Sequence, residues 1–382
     1  MKLWERKAII LKWSLIFLSG CLFQCKSNSN IGLEEVEDST SSKPIIDTTV
    51  ITFPDSVKKD TTIISISDSV LTASPRFGIE NIYNEDQLVI KKGIYSNANN
   101  FVGTRVNLAY SFMAPQSDTM KYRPFILFLH EGAFIFGSLD NELGKSRLMS
   151  RKGYATASID YRLGFYGGSE SNACGSNNKE VFQAIYRSVQ DTYSALYYFT
   201  SHANDFGIDP DQIVLAGSSA GGIAISAFLY MQEADFEKLS PGISKALGKL
   251  NPYPVGRPYK IRALLSFLGY AVIQKSYITA DNAKPSLFFQ RSGDDILAFA
   301  NGPLFYCPGY FTTDGAKNVS DRLKILKIPF ELNYEPLIGH QLSYPEKYIT
   351  DRYALFMKRL WGNNLRQIIN ENYNVTEDTV IK

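Results

Sequence analysis

The chain has 382 residues, 45% of them hydrophobic and 20% charged, enough apolar material to bury an enzyme-sized core. Its formal charge of +2 is concentrated before Cys21, where Lys2, Arg6, Lys7 and Lys12 face only Glu5, so the remainder is close to neutral. That balance excludes the basic face nucleic-acid binding needs; three scattered histidines and two late cysteines lack metal-ligand spacing, and no nucleotide fingerprint or other cofactor signal is present.

Residues 1–20 place basic residues ahead of an apolar stretch and end in small ones, the pattern of a signal peptide. Leu18-Ser19-Gly20-Cys21 resembles the bacterial lipobox, which implies export, acylation of the Cys21 thiol and a lipid anchor in the membrane. Residues 21–77 read as a tether, since the stretch is rich in Ser, Thr and Asp and offers little to a core. Five Asp-hydroxyl triplets within it, from Asp38-Ser39-Thr40 to Asp68-Ser69-Val70, resemble the O-glycosylation motif of exported Bacteroidota proteins. Chance in so Ser/Thr-rich a segment is the other explanation. In an oxidising compartment Cys174 and Cys307 are able to pair, if long loops bring them together.

The folded domain is expected over 78–382. Residues 88–95 and 106–113 are short β-rich runs bounded by turn residues, an antiparallel opening pair. Continuous apolar runs at 125–129, 155–159, 213–216, 263–268 and 287–289 suit strands buried on both faces of a mostly parallel sheet. Between them, helical spacing is clearest at 180–202, where Val181, Ile185, Val189, Thr192, Leu196 and Phe199 share a face. Further helices are expected at 141–152, 220–230, 314–326 and 345–361. This alternation predicts an α/β fold with flanking helices. The proline-punctuated segment 233–258 reads as a small insertion over the site, a lid.

Gly217-Ser218-Ser219-Ala220-Gly221 lies between a predicted strand and a helix of small residues, the setting of a nucleophile elbow. The strained turn leaves no room for side chains two positions either side of Ser219, and the helix start beyond it offers positive potential to an oxyanion. A serine nucleophile needs a base. His202 sits at a helix C-terminus and His130 opens a loop with another task, so His340 remains. The acid must follow a strand between them in the chain, where Asp294 and Asp295 are adjacent; the frame after Asp294, with Ala298 in place of the usual proline, resembles that after the acid of related hydrolases, and the resemblance favours Asp294.

His130-Glu131-Gly132-Ala133-Phe134 resembles the H-G-G-G or H-G-G-A-F loop of esterases and lipases, which implies oxyanion donors on the backbone N–H groups of Gly132, Ala133 and Ala220. Glu131 stands where that pattern has its first glycine; either its charge narrows the site, or it points away and only its backbone matters. With Ser158-Ile159-Asp160-Tyr161-Arg162-Leu163-Gly164, Val189-Gln190-Asp191, Gly207-Ile208-Asp209-Pro210 and the elbow, acid and His loops, the chain resembles a bacterial carboxylesterase of the α/β-hydrolase superfamily, on the hormone-sensitive-lipase-like side. The resemblance implies ester hydrolysis by a Ser-His-Asp triad on a small-molecule or polysaccharide ester, with Tyr161, Arg162 and Asp191 as structural anchors. Tyr161, Tyr166, Tyr306 and Tyr310, near the expected site loops, would allow sugar stacking. A serine peptidase and a non-catalytic binding protein on the same fold are the competing readings; the first usually carries a large extra domain, the second usually loses its nucleophile or base.

Overall fold

The computed structural model describes residues 46–47, 65–253 and 258–381. The signal peptide, Cys21 and most of the tether lie outside the described residues.

In chain order the elements are β1 (Ile46–Asp47), α1 (Asp68–Ala73), β2 (Leu88–Asn99), β3 (Arg105–Pro115), β4 (Arg123–Leu129), α2 (Leu143–Arg151), β5 (Ala155–Ile159), α3 (Asn178–Ser201), α4 (Ala203–Phe206), β6 (Ile208–Ser218), α5 (Ala220–Tyr230), α6 (Glu233–Leu239), α7 (Ile243–Leu247), β7 (Ile261–Phe267), β8 (Ala271–Val272), β9 (Ser286–Gly293), β10 (Asn301–Pro303), β11 (Thr312–Gly315), α8 (Ala316–Ile325), β12 (Phe330–Ile338), α9 (Glu346–Trp361) and β13 (Gln367–Glu371). The main sheet runs β1-β2-β3-β5-β4-β6-β7-β9-β12-β13. β3 is antiparallel to β2 and β5, whereas every pair from β5 onward is parallel. This mostly parallel sheet with helices on both faces is the α/β-hydrolase fold expected from the sequence.

Alternation along the buried strands divides the core. Phe125, Leu127 and Leu129 of β4 join α3, α5 and α8 on one face, whereas Ile126 and Phe128 meet α1, α2 and α9 on the other. Both faces are covered, which is why the strands read as unbroken apolar runs.

Two boundaries differ from expectation. The segment 65–77, assigned to the tether, is part of the domain: Leu71 and Phe77 are fully buried, and the Asp68 carboxylate pairs with Arg262. Lys358 donates to the Leu71, Thr72 and Ser74 carbonyls, closing the end of α1. Asp68-Ser69-Val70 is thus a helix start anchored to the core. Of the segment 233–258, the described residues 233–253 form α6 and α7 and dock on α3, burying Phe236 and Ile243; Tyr186 donates to the Gly248 carbonyl and Gln190 to those of Leu247 and Lys249.

Candidate active site

Ser219 sits between β6 and α5 with φ 49° and ψ −113°, a conformation a non-glycine residue rarely adopts. Its N–H donates to the Leu268 carbonyl at 3.0 Å, which helps to hold the turn. A Cβ on Gly221 would lie 2.1 Å from the Leu129 carbonyl oxygen, and one on Gly217 2.5 Å from the Gly221 carbonyl carbon. The two glycines are therefore demanded by the neighbouring strand and by the helix start.

His340 follows β12, and its Nε2 lies 3.0 Å from Ser219 Oγ. Its Nδ1 lies 2.9 Å from each carboxylate oxygen of Asp294, just beyond the end of β9. A carboxylate only accepts, so Nδ1 carries the hydrogen and Nε2 is left to receive the serine proton. The Ile296 and Leu297 N–H groups donate to Asp294 Oδ1, and Gln290 Nε2 to Oδ2. Asp294 is buried and held on every side, whereas Asp295 is exposed.

The other two histidines are occupied elsewhere. His130 is buried and stacks on Tyr161 at 4.3 Å; burial lowers its pKa to about 4, keeping the ring neutral. His202 Nδ1 lies 2.8 Å from the Tyr198 carbonyl at the end of α3.

After β4 the chain turns sharply, the Ile135 and Phe136 N–H groups donating to the Gly132 carbonyl. Ala133 and Phe134 both have positive φ, 52° and 62°. Among the described residues no acceptor takes the N–H of Gly132, Ala133 or Ala220. Glu131 turns toward Asn141, whose Nδ2 donates to it at 3.2 Å. Beneath this loop Tyr161 donates to the His130 carbonyl, and the Asp191 carboxylate binds both the Arg162 N–H and guanidinium. These three anchor loops, as expected.

Of the four tyrosines considered for sugar stacking, two are not available. Tyr161 and Tyr310 are buried, with hydroxyls on the carbonyls of His130 and Ala173. Tyr166 and Tyr306 are exposed. Cys174 and Cys307 form a disulfide joining the loop after β5 to the loop that carries Tyr306.

Four residues around the site escaped sequence reasoning. Gly269 has φ 77°, and a Cβ there would lie 3.0 Å from Asp294 Oδ2 and 3.1 Å from His340 Cε1. Gln290 orients the acid through a contact within the same strand end, legible only as one glutamine in an apolar run. Glu142 and Lys145 are buried below the elbow, where nothing in the linear pattern distinguishes them from surface charges.

A serine, a histidine and a carboxylate are thus joined in series at the C-terminal edge of the sheet. The carboxylesterase family pattern matches residues 106–253. Among curated proteins, Esterase-5A of Drosophila persimilis is 25% identical over 257 residues, covering 63% of this chain and 44% of that protein. Para-nitrobenzyl esterase of Bacillus subtilis is 30% identical over 150 residues, covering 37% of this chain and 29% of that protein. The chain thus spans less than half the length of these relatives. Among solved structures, native esterase 2 of Thermogutta terrifontis is 15% identical with a TM-score of 0.47, covering 74% of this chain and 95% of that one.

Proposed function

We propose that this protein is a serine esterase acting on short-chain carboxylic esters through an acyl-enzyme. The observation that carries the reading is the unbroken series from Ser219 Oγ to His340 Nε2 at 3.0 Å and from His340 Nδ1 to Asp294 at 2.9 Å. Ser219 Oγ attacks the ester carbonyl as its proton passes to Nε2, and Asp294 stabilises the imidazolium without itself taking the proton. The negative oxygen is received by the N–H groups of Gly132, Ala133 and Ala220. His340 then protonates the departing alcohol oxygen, breaking the C–O bond. Water, losing a proton to the same nitrogen, bonds the acyl carbon; the Oγ–C bond then breaks, Oγ takes the proton back from Nε2, and the acid leaves.

The short-chain preference is supported by the insertion. Phe236 and Ile243 are consumed in packing on α3, leaving little apolar surface to line an acyl tunnel. Each buried methylene of a long chain would contribute about 0.8 kcal/mol where such a tunnel exists. Acylated polysaccharides fit as substrates through the exposed rings of Tyr166 and Tyr306. Acylation of Cys21 would tether the enzyme to a bacterial membrane after export, with Cys21→Ala releasing it to the soluble fraction.

The test is labelling by a fluorophosphonate with turnover of nitrophenyl acetate, butyrate, octanoate and palmitate. Labelling disappears in Ser219→Ala, turnover in Ser219→Ala and His340→Ala, and kcat/KM is flat or falls with chain length. Labelling and hydrolysis that persist in Ser219→Ala would remove the nucleophile assignment; a series rising through palmitate would remove the short-chain one.

A further inference from the structure

The buried carboxylate of Glu142 has no part in the reaction just described, yet it touches the elbow. Ser218, the residue before the nucleophile, donates its hydroxyl hydrogen to Glu142 Oε1 at 2.6 Å, with both side chains buried. Glu142 Oε2 pairs with Lys145 Nζ at 3.0 Å, and that ammonium lies 4.6 Å from the centre of the Phe267 ring on β7. Removing a carboxylate and an ammonium from water costs several kcal/mol each unless both are well partnered. The fold could have filled this space with apolar side chains and has placed an ion pair against the catalytic turn instead.

We infer that Glu142, clamped by Lys145, is a positioning residue for Ser219: by accepting the Ser218 hydrogen bond it fixes the strand end from which the nucleophile and the Ala220 N–H project. The inference rests on the esterase reading above. Ser219 holds an unfavourable backbone conformation, and such a conformation persists only where its surroundings over-determine it. The Ser219 N–H bond to Leu268 restrains the turn from β7, and the Ser218 bond to Glu142 restrains it from the α2 side.

The ionised carboxylate is the working form. Lys145 only donates, so a proton on Glu142 would have to sit on Oε1, and the Ser218 hydroxyl would have to turn round. Burial raises the Glu142 pKa to about 7, so the change falls in the working range. The charged and titratable groups facing it are Lys145 on its own segment, Glu131 after β4, Tyr161 after β5, and Tyr353 on α9; Glu346, also on α9, reaches Lys145 at 3.9 Å.

The experiment compares the full chain with Glu142→Gln, Ser218→Ala and the double variant, measuring kcat and KM for nitrophenyl acetate from pH 5 to 9 together with Tm. Misplaced reacting groups cost up to about a hundredfold. The expected result is therefore a kcat lower by about tenfold to a hundredfold at pH 8, KM within about twofold, and a double variant no worse than the poorer single one. The low-pH limb of wild-type kcat should also steepen by one proton relative to Glu142→Gln. Variants with wild-type kcat and an unchanged pH profile overturn the inference, as does a double variant whose loss is the product of the single losses. If Glu142→Gln does not fold, Ser218→Ala, which removes one hydroxyl, decides alone: wild-type kcat there overturns the positioning role. A wild-type chain that neither turns over the ester nor is labelled at Ser219 overturns the esterase reading itself, whereas an active wild type with unaffected variants overturns the positioning role only.

Discussion

At the residue scale the two adjacent aspartates show how little chemistry residue type alone decides. Asp294 accepts two backbone N–H groups and the Gln290 amide while facing His340; Asp295, one peptide on, is exposed. Asp294→Asn should lower kcat by about 10⁴-fold, because an amide presenting its N–H₂ to Nδ1 selects the wrong tautomer. Asp295→Asn should leave kcat within about twofold, as exposed substitutions away from the reacting groups usually do; the reverse ranking in steady-state assays would exchange their roles. Gly269 makes a second case. Alanine there meets both a left-handed backbone and the Asp294–His340 contact, so Gly269→Ala should lower kcat by about a hundredfold while fluorophosphonate still reaches Ser219 slowly.

At the scale of elements, the loops after β5 and β10 are tied by the Cys174–Cys307 bridge across 133 residues of chain. Closing so long a loop restricts the unfolded chain, and its loss should cost about 2–5 kcal/mol. Cys174→Ala with Cys307→Ala should therefore lower the midpoint of chemical denaturation. Nitrophenyl acetate turnover should hold, because neither sulfur touches Ser219, His340 or Asp294, and a parallel loss of both would place the bridge within the catalytic geometry. The same pinning bears on bulky esters, since Tyr306 is adjacent to Cys307 and itself exposed.

For the whole molecule, the start of the folded domain is the testable boundary. Leu71 and Phe77 sit in the core between α9 and the sheet, Phe77 packing edge-on against Tyr154 and Trp361. Large-to-small changes at such positions cost about 2–5 kcal/mol each. Leu71→Ala and Phe77→Ala should therefore each lower the melting temperature of the full chain. Wild-type melting temperatures for both variants would return residues 65–77 to the tether.

Local pattern determined the alternation of strands and helices and the tight turn around Ser219, because each depends on neighbours within a few positions; elimination among three histidines left His340, and resemblance to the frame of related hydrolases, not local pattern, favoured Asp294. The α5 boundaries at 220 and 230 follow for the same reason, a helix of small residues starting at a turn and ending before Met231. Tertiary structure alone decided what depends on distant chain: the burial of Leu71 and Phe77 against α9, β13 beside β12, the docking of α6 and α7 on α3, and the Glu142–Ser218 bond across 76 residues. A charged residue on a short helix reads as solvated in sequence. Only packing from β7 and α9 made Glu142 and Lys145 a buried pair beneath the turn at Ser219.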